Sequence, residues 1–118
     1  MDKTIDLKAM VLVMMRIWNN NEFSKVTECC TLFEGMQVKA TLVDDLGNEE
    51  VVGTMSRVEL KTRWNGDEYV GTLFFSVRYT VNGKKCSDLL DEQVCKSLEI
   101  LDDTPIETLK ARLKEILR

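Results

Sequence analysis

The chain states one phrase twice. "EEVVGTMSRVELKTRWNG" fills residues 49–66 and "DEYVGTLFFSVRYTVNG" fills residues 67–83. Each copy opens on two acids, passes through Val-Gly-Thr and closes on Asn-Gly. Between these marks polar and apolar residues alternate. Val58, Leu60, Thr62 and Trp64 stand against Arg57, Glu59, Lys61 and Arg63 in the first copy. Phe75, Val77, Tyr79 and Val81 stand against Ser76, Arg78, Thr80 and Asn82 in the second. A period of two belongs to a strand with one buried face. Asn-Gly supplies two residues that accept positive φ, as a tight hairpin turn requires. Two long antiparallel strands are therefore the fixed centre of whatever this chain becomes.

The copies differ in length by one residue. Gly53 and Gly71 lie 18 positions apart, whereas Gly66 and Gly83 lie 17 apart. One strand thus carries an extra residue. A bulge must absorb it, or every later side chain changes face. Gly53 and Gly71, in mid-strand, are the expected bend points. Bends of this kind curl a meander into a small barrel or half-barrel.

Flanking segments complete the outline. Val38, Ala40 and Leu42 alternate with Gln37, Lys39 and Thr41, and Asp44-Asp45-Leu46-Gly47-Asn48 makes a turn into the first copy. After the second copy, "CSDLLDEQVCKSLEIL" is expected to hold a short helical turn. Ser87 would cap it, and Leu90, Val94 and Leu98 are spaced by four. A short strand over 98–101 would then close the sheet. Before the sheet, Leu7, Met10, Val11, Met14, Ile17 and Trp18 form a helical stripe, with Thr4 as the expected cap and Asn19-Asn20-Asn21 as the stop. Residues 11–15 are apolar nearly all round, which predicts burial on more than one side. Phe23, Val26, Cys30 and Phe33 predict a second helix ending at Gly35, although β-branched Val26, Thr27 and Thr31 leave a strand as the competing choice. At the far end Thr104, Pro105 and Glu107 form a capping box, followed by Ile106, Leu109, Leu113 and Ile116 on one face.

The expected fold is therefore α+β in one domain spanning 1–118. Residues 1–35 form an N-terminal helix or helical hairpin. Residues 36–101 form a curled antiparallel β-meander of three to five strands. Residues 102–118 form a C-terminal amphipathic helix. The outline looks like the small SH3-like and Sm-like barrels at the level of fold only. It shares no motif with them residue by residue, so it implies no function.

Composition narrows the function. With 118 residues, 44% of them hydrophobic and 31% charged, the chain has enough apolar surface for one core without staples. Net charge −4 argues against a globally basic nucleic-acid binder. Histidine is absent, which removes the commonest general base and the commonest zinc ligand. The apolar run from Met10 to Met15 ends at Arg16, too short to span a bilayer and without a cleavage site. Cytoplasmic residence is the expectation, with Cys29, Cys30, Cys86 and Cys95 as free thiols. Their spacing lacks a Cys-x-x-Cys pair, so buried small hydrophobes fit better than a metal or cluster site. The paired acids sit at turns and helix starts, where they cap and solvate, and no glycine-rich phosphate loop is present. An enzyme, a cofactor and a metal are all unexpected.

Two functional readings remain. Between Arg57 and Lys85 six bases (Arg57, Lys61, Arg63, Arg78, Lys84 and Lys85) outnumber three acids (Glu59, Asp67 and Glu68) in an acidic chain. A basic sheet face of Arg57, Lys61, Arg63, Arg78 and Lys84, with Phe74 beside it for stacking, would hold a nucleotide or nucleic-acid phosphate. The bland alternative is a solvated face with cross-strand ion pairs such as Glu59 with Arg78, and a terminal helix covering Phe74. The rival function is a protein–protein module working through Phe74, Trp64 and the apolar helix. It would be an inhibitor, adaptor or accessory subunit; a small phage or mobile-element protein would suit either role. A homodimer or higher homo-oligomer through Val11, Met14, Met15 and Trp18 is expected in both.

Overall fold

In the computed structural model, residues 3–44, 47–102 and 106–116 are described. They form β1 (Thr4–Ile5), α1 (Leu7–Asn19), α2 (Phe23–Phe33), β2 (Gln37–Asp44), β3 (Gly47–Trp64), β4 (Tyr69–Val81), β5 (Lys84–Asp91), β6 (Cys95–Ile100) and α3 (Ile106–Ile116). All strand pairs are antiparallel, in the order β1-β6-β2-β3-β4-β5. The sheet is open: β1 and β5 stand at its two ends and do not meet to close a barrel.

The α+β outline and the helical hairpin hold, but six strands replace three to five. The segment expected to turn helical after Lys85 is strand: Ser87 and Leu90 lie in β5, and Leu98 in β6. β6 does not close the sheet. It inserts between β1 and β2, with Leu98 paired to both Ile5 and Ala40. Thr4, the expected cap of α1, is part of β1. Asp6 caps the helix instead, its carboxylate accepting from the Ala9 N–H at 3.1 Å. Gly35 does end α2, with φ +89°. Thr104 and Pro105 of the expected capping box lie outside the described residues.

The helices share one side of the sheet. α1 lies over β4, α2 over β3, and α3 packs on α2 with Leu109 buried. Met14, Cys29 and Phe33 from the helices meet Val38, Met55, Leu73, Phe75, Val77, Leu98 and Ile100 from the strands, all nearly inaccessible to water. α1 is one-sided rather than buried all round, because Leu12 remains 73% exposed.

The extra residue sits where β3 opposes Phe75 of β4. Ser56 pairs with Ser76 and Glu59 with Phe74, leaving Arg57 and Val58 as a two-against-one bulge. Arg57 takes φ +50°, the left-handed conformation that lets the strand gain a residue while both ends keep their faces. The two Val-Gly-Thr glycines are places of close approach. A Cβ on Gly53 would fall on the Arg78 carbonyl oxygen, and one on Gly71 would fall on the Met15 sulfur of α1. The two Asn-Gly turns also differ. Asn82 (φ +51°) and Gly83 (φ +79°) close a two-residue hairpin with Val81 opposite Lys84. Asn65 does not take positive φ. Its side chain accepts from the Asp67 and Glu68 N–H groups, both at 2.9 Å, and organises a four-residue loop instead.

Candidate functional site

The pleat assigns each polar strand residue to a face. Residues paired with Val38, Met55, Leu73 or Phe75 point toward the helices; those between them point to the other side, which no helix among the described residues covers. Lys61, Arg63, Phe74 and Arg78 are on that uncovered side. Arg57 is exposed on the bulge. Lys84 is not with them: it pairs with Val81, in step with Tyr79 and Val77, and so belongs to the helix side. Lys85, paired with Thr80, takes the place expected for Lys84.

The expected basic face is not continuous. Lys61 pairs with Thr72, six residues from Arg78 along β4. At roughly 3.3 Å per residue the two are about 20 Å apart. Lys61 lies over the Phe74 ring, 5.1 Å from its centroid, so Phe74 is covered by a cation rather than by a helix. Glu59 and Arg78 are not cross-strand neighbours, because Glu59 faces Phe74 and Arg78 faces Thr54. Among the described residues the ion pair on this face is Lys39 with Glu99, at 3.2 Å. It holds the Lys39 ammonium above its usual pKa through the hydrogen bond and charge of Glu99.

Arg78 is the centre of the better site. β3 pairs with β4 only as far as Thr54, then continues along β2. The parting strands leave a cleft of about 390 Å³, lined by Thr54, Arg78, Tyr79, Thr80, Lys85, Cys86 and Ser87. Glycine at 53 is what lets the β3 backbone pass this close to the Arg78 carbonyl. Arg78, Thr80, Lys85 and Ser87 are exposed, and neither cation has an ion-pair partner among the described residues. Thr54 accepts from the Gln37 amide at 2.7 Å, which leaves its own O–H free to donate. Tyr79 directs its hydroxyl away, to Asp88 at 3.1 Å, and that bond to a carboxylate raises the phenol pKa. The cleft therefore presents two cations and three hydroxyls, with no carboxylate in its lining. Sequence reading missed Thr54, Thr80, Lys85 and Ser87. The signal was present in the Asn82-Gly83 turn, since a two-residue hairpin fixes Thr80 opposite Lys85 and Arg78 opposite Ser87.

The residues expected to join copies of the chain are used internally. Val11, Met14 and Met15 are buried under the sheet, and Trp18 is half-buried. Trp18 instead belongs to an aromatic string at one end of the molecule. Its ring lies 5.6 Å from Phe23 and 5.0 Å from Tyr69, and Tyr69 lies 5.1 Å from Trp64. Phe23, Tyr69 and Trp64 are each about half exposed.

The three buried thiols carry no reactive signature. Burial pushes Cys29 up to about 12, with the neighbouring Cys30 adding to it. Burial likewise pushes Cys30 and Cys95 up to about 11. Protonated thiols of this kind are neither nucleophiles nor metal ligands. Among the described residues no three Cys, Asp or Glu side chains gather as a metal site, and no helix is long and apolar enough to cross a membrane. Comparison with protein-family models, curated proteins and solved structures finds no match.

Proposed function

We propose that the chain is a small non-enzymatic binding protein whose Arg78 cleft holds an anionic, phosphate-bearing ligand of about nucleotide size. The observation that carries this reading is the lining itself: Arg78, Lys85, Thr54, Thr80 and Ser87 converge without an acid among them. Arg offers a planar fork of donors, Lys a point charge, and the hydroxyls neutral donors; together they match the oxygens of a phosphate. The volume lies toward the lower end of small-molecule sites. Nothing in the lining pairs a nucleophile with a base, which favours binding over turnover. Four cysteines without a disulfide fit a reducing compartment such as the cytoplasm.

The test uses pyrophosphate as the probe, followed by calorimetry. Arg78→Glu with Lys85→Glu should weaken binding at least about tenfold, one decade being roughly 1.4 kcal/mol. The melting temperature should hardly move, because both side chains are exposed. Lys61→Glu with Arg63→Glu, some 20 Å away along the strand, should leave affinity nearly intact. Affinity should also fall as salt rises. Pyrophosphate binding that survives the first double reversal refutes the site.

A second reading rests on the aromatic string. Phe23, Trp18, Tyr69 and Trp64 expose a contiguous apolar surface, and aromatic residues are enriched at protein interfaces. On this reading the chain is an accessory subunit or inhibitor that docks a protein partner at that end.

A further inference from the structure

β5 has a strand on one side only. Which of its groups are unused follows from the hairpin. In a two-residue turn the flanking residues exchange hydrogen bonds, so Lys84 faces β4. Alternation then turns Cys86, Asp88 and Leu90 toward β4 and Lys85, Ser87, Leu89 and Asp91 outward. Leu73 provides an independent check. Its N–H donates to the buried Glu92 carboxylate at 2.8 Å, on the β5 side of β4, so Phe75, two residues on, must also face β5 and its partner Leu90. The outward N–H and C=O groups of Lys85, Ser87 and Leu89 have no backbone partner among the described residues.

This edge is unusual in what it lacks. The register with β4 runs unbroken over eight residues, with neither bulge nor proline. Leu89 is 69% exposed on it. Native edges are commonly short, bulged, covered or charged, because an open ladder invites another strand; here the protection is charge alone, set at the two ends of β5 around Leu89.

The charges say which strand. Lys84 and Lys85 occupy one end of β5, Asp88 and Asp91 the other. Parallel pairing of two copies would set like charges together; antiparallel pairing sets each basic end against an acidic end. A two-fold pairing must also match outward residues to outward residues. The axis can then fall at Ser87, Asp88, Leu89 or Leu90. At Asp88 Lys85 faces Asp91 directly, but the two Asp88 carboxylates, each half-buried and already accepting from Tyr79, oppose each other across the axis at the closer, non-hydrogen-bonded spacing. At Leu90 each Asp88 opposes Glu92 of the second copy. At Ser87 Lys85 is likewise diagonal to Asp91, but it directly faces Leu89, and the two exposed leucines lie four positions apart. With the axis at Leu89 the two exposed leucines face each other, Ser87 faces Asp91, and Lys85 lies diagonal to Asp91 within reach of its long side chain.

We propose that two copies of the chain pair antiparallel through β5, with Leu89 on the two-fold axis, to make one continuous twelve-stranded sheet from two sheets of six. This does not rest on the ligand reading. It does interact with it, because Lys85 and Ser87 serve both surfaces, and the second copy's Asp91 would approach the rim of the Arg78 cleft. A bound anion and a second copy therefore oppose one another.

The test is light scattering over a concentration series, with two kinds of variant. Leu89→Lys places like charges across the axis and should raise the dimer dissociation constant at least about tenfold. Its circular dichroism, and its melting curve at concentrations where the parent is monomeric, should stay those of the parent, since Leu89 is 69% exposed. For register, Leu89→Cys in a Cys86→Ser background should cross-link on oxidation. Directly opposed, hydrogen-bonded positions have Cα atoms about 5.5 Å apart, within disulfide range. Ser87→Cys in the same background should not, because the two copies of residue 87 lie four positions apart. A chain that is monomeric throughout the series overturns the proposal. So does a dimer that Leu89→Lys leaves unchanged, or one that cross-links through Ser87→Cys in preference. Pyrophosphate affinity of the Leu89→Lys monomer reads the cleft separately, so failure of one inference is not failure of the other.

Discussion

The two Val-Gly-Thr triplets read alike but should respond very differently to one added methyl group. At Gly71 a Cβ would meet the Met15 sulfur, with Met15 Cγ at 2.9 Å and Leu60 Cδ1 at 3.1 Å. All three are side-chain atoms, and a methionine tip can swing aside. Overpacking costs about 1–3 kcal/mol, and alanine recovers roughly 0.5–1 kcal/mol of the backbone entropy that glycine loses in a strand. Gly71→Ala should therefore destabilise by about 1 kcal/mol. At Gly53 the obstacle is backbone: the Arg78 carbonyl oxygen, with its carbon at 2.9 Å, and Val77 Cγ1 at 3.0 Å. Two strands must separate to make room, which places Gly53→Ala at the upper end of that range, about 3 kcal/mol or more. Urea unfolding followed by tryptophan fluorescence from Trp18 and Trp64 measures both. Combining each variant with Met15→Ala supplies a double-mutant cycle. Met15→Ala should offset much of the Gly71→Ala penalty and none of the Gly53→Ala penalty. Equal costs at the two glycines, or a Met15 coupling to Gly53, would refute the assignment of these glycines to two different contacts.

Two further outcomes follow from features described above. Cys29, Cys30 and Cys95 hold protons in the fold that the unfolded chain releases from about pH 9, so their contribution to stability is intact below pH 9 and is lost as pH rises toward 11–12. The limit is ~1.4 kcal/mol per thiol per pH unit; urea unfolding at pH 8 and pH 10 should show a fall of up to about 4 kcal/mol, and unchanged stability would contradict the burial of these thiols. Trp64→Ala should weaken capture of any protein partner at the aromatic end by about tenfold or more with little salt response, measured by surface plasmon resonance; an unaffected complex removes that end as the interface.

The sequence carried the centre of this fold better than its margins. The unequal offsets of the two copies demanded a bulge, and Arg57 with Val58 supplies it. The demand did not say where, because the bulge needs positive φ and arginine is an uncommon residue to take it. The misreading of 86–98 has a simple cause. Leu90, Val94 and Leu98 are spaced by four, as in a helix, but they fall in β5, in the turn after it and in β6; only the pairing with β4 and β2 shows that the spacing spans two strands and the turn between them. Thr4 could not be recognised as strand because its partner, Glu99, lies far along the chain. The candidate site followed the same division. Arg78 was legible from alternation. Its separation from Lys61, and its company with Lys85 and Ser87, depend on register, which the faces of isolated strands do not give.

The strand order has a kinetic meaning. β2, β3, β4 and β5 follow one another in the chain and in the sheet, so each can be laid beside its predecessor as it emerges. β6 breaks that progression. It has to return across the molecule and enter between two segments that both precede it, and until it does, β1 has nothing to pair with and one side of β2 stays bare. The backbone bonds that tie down residues 3–5, including Ile100 N–H to the Lys3 carbonyl at 3.0 Å, therefore form only after residues 95–100 have been made.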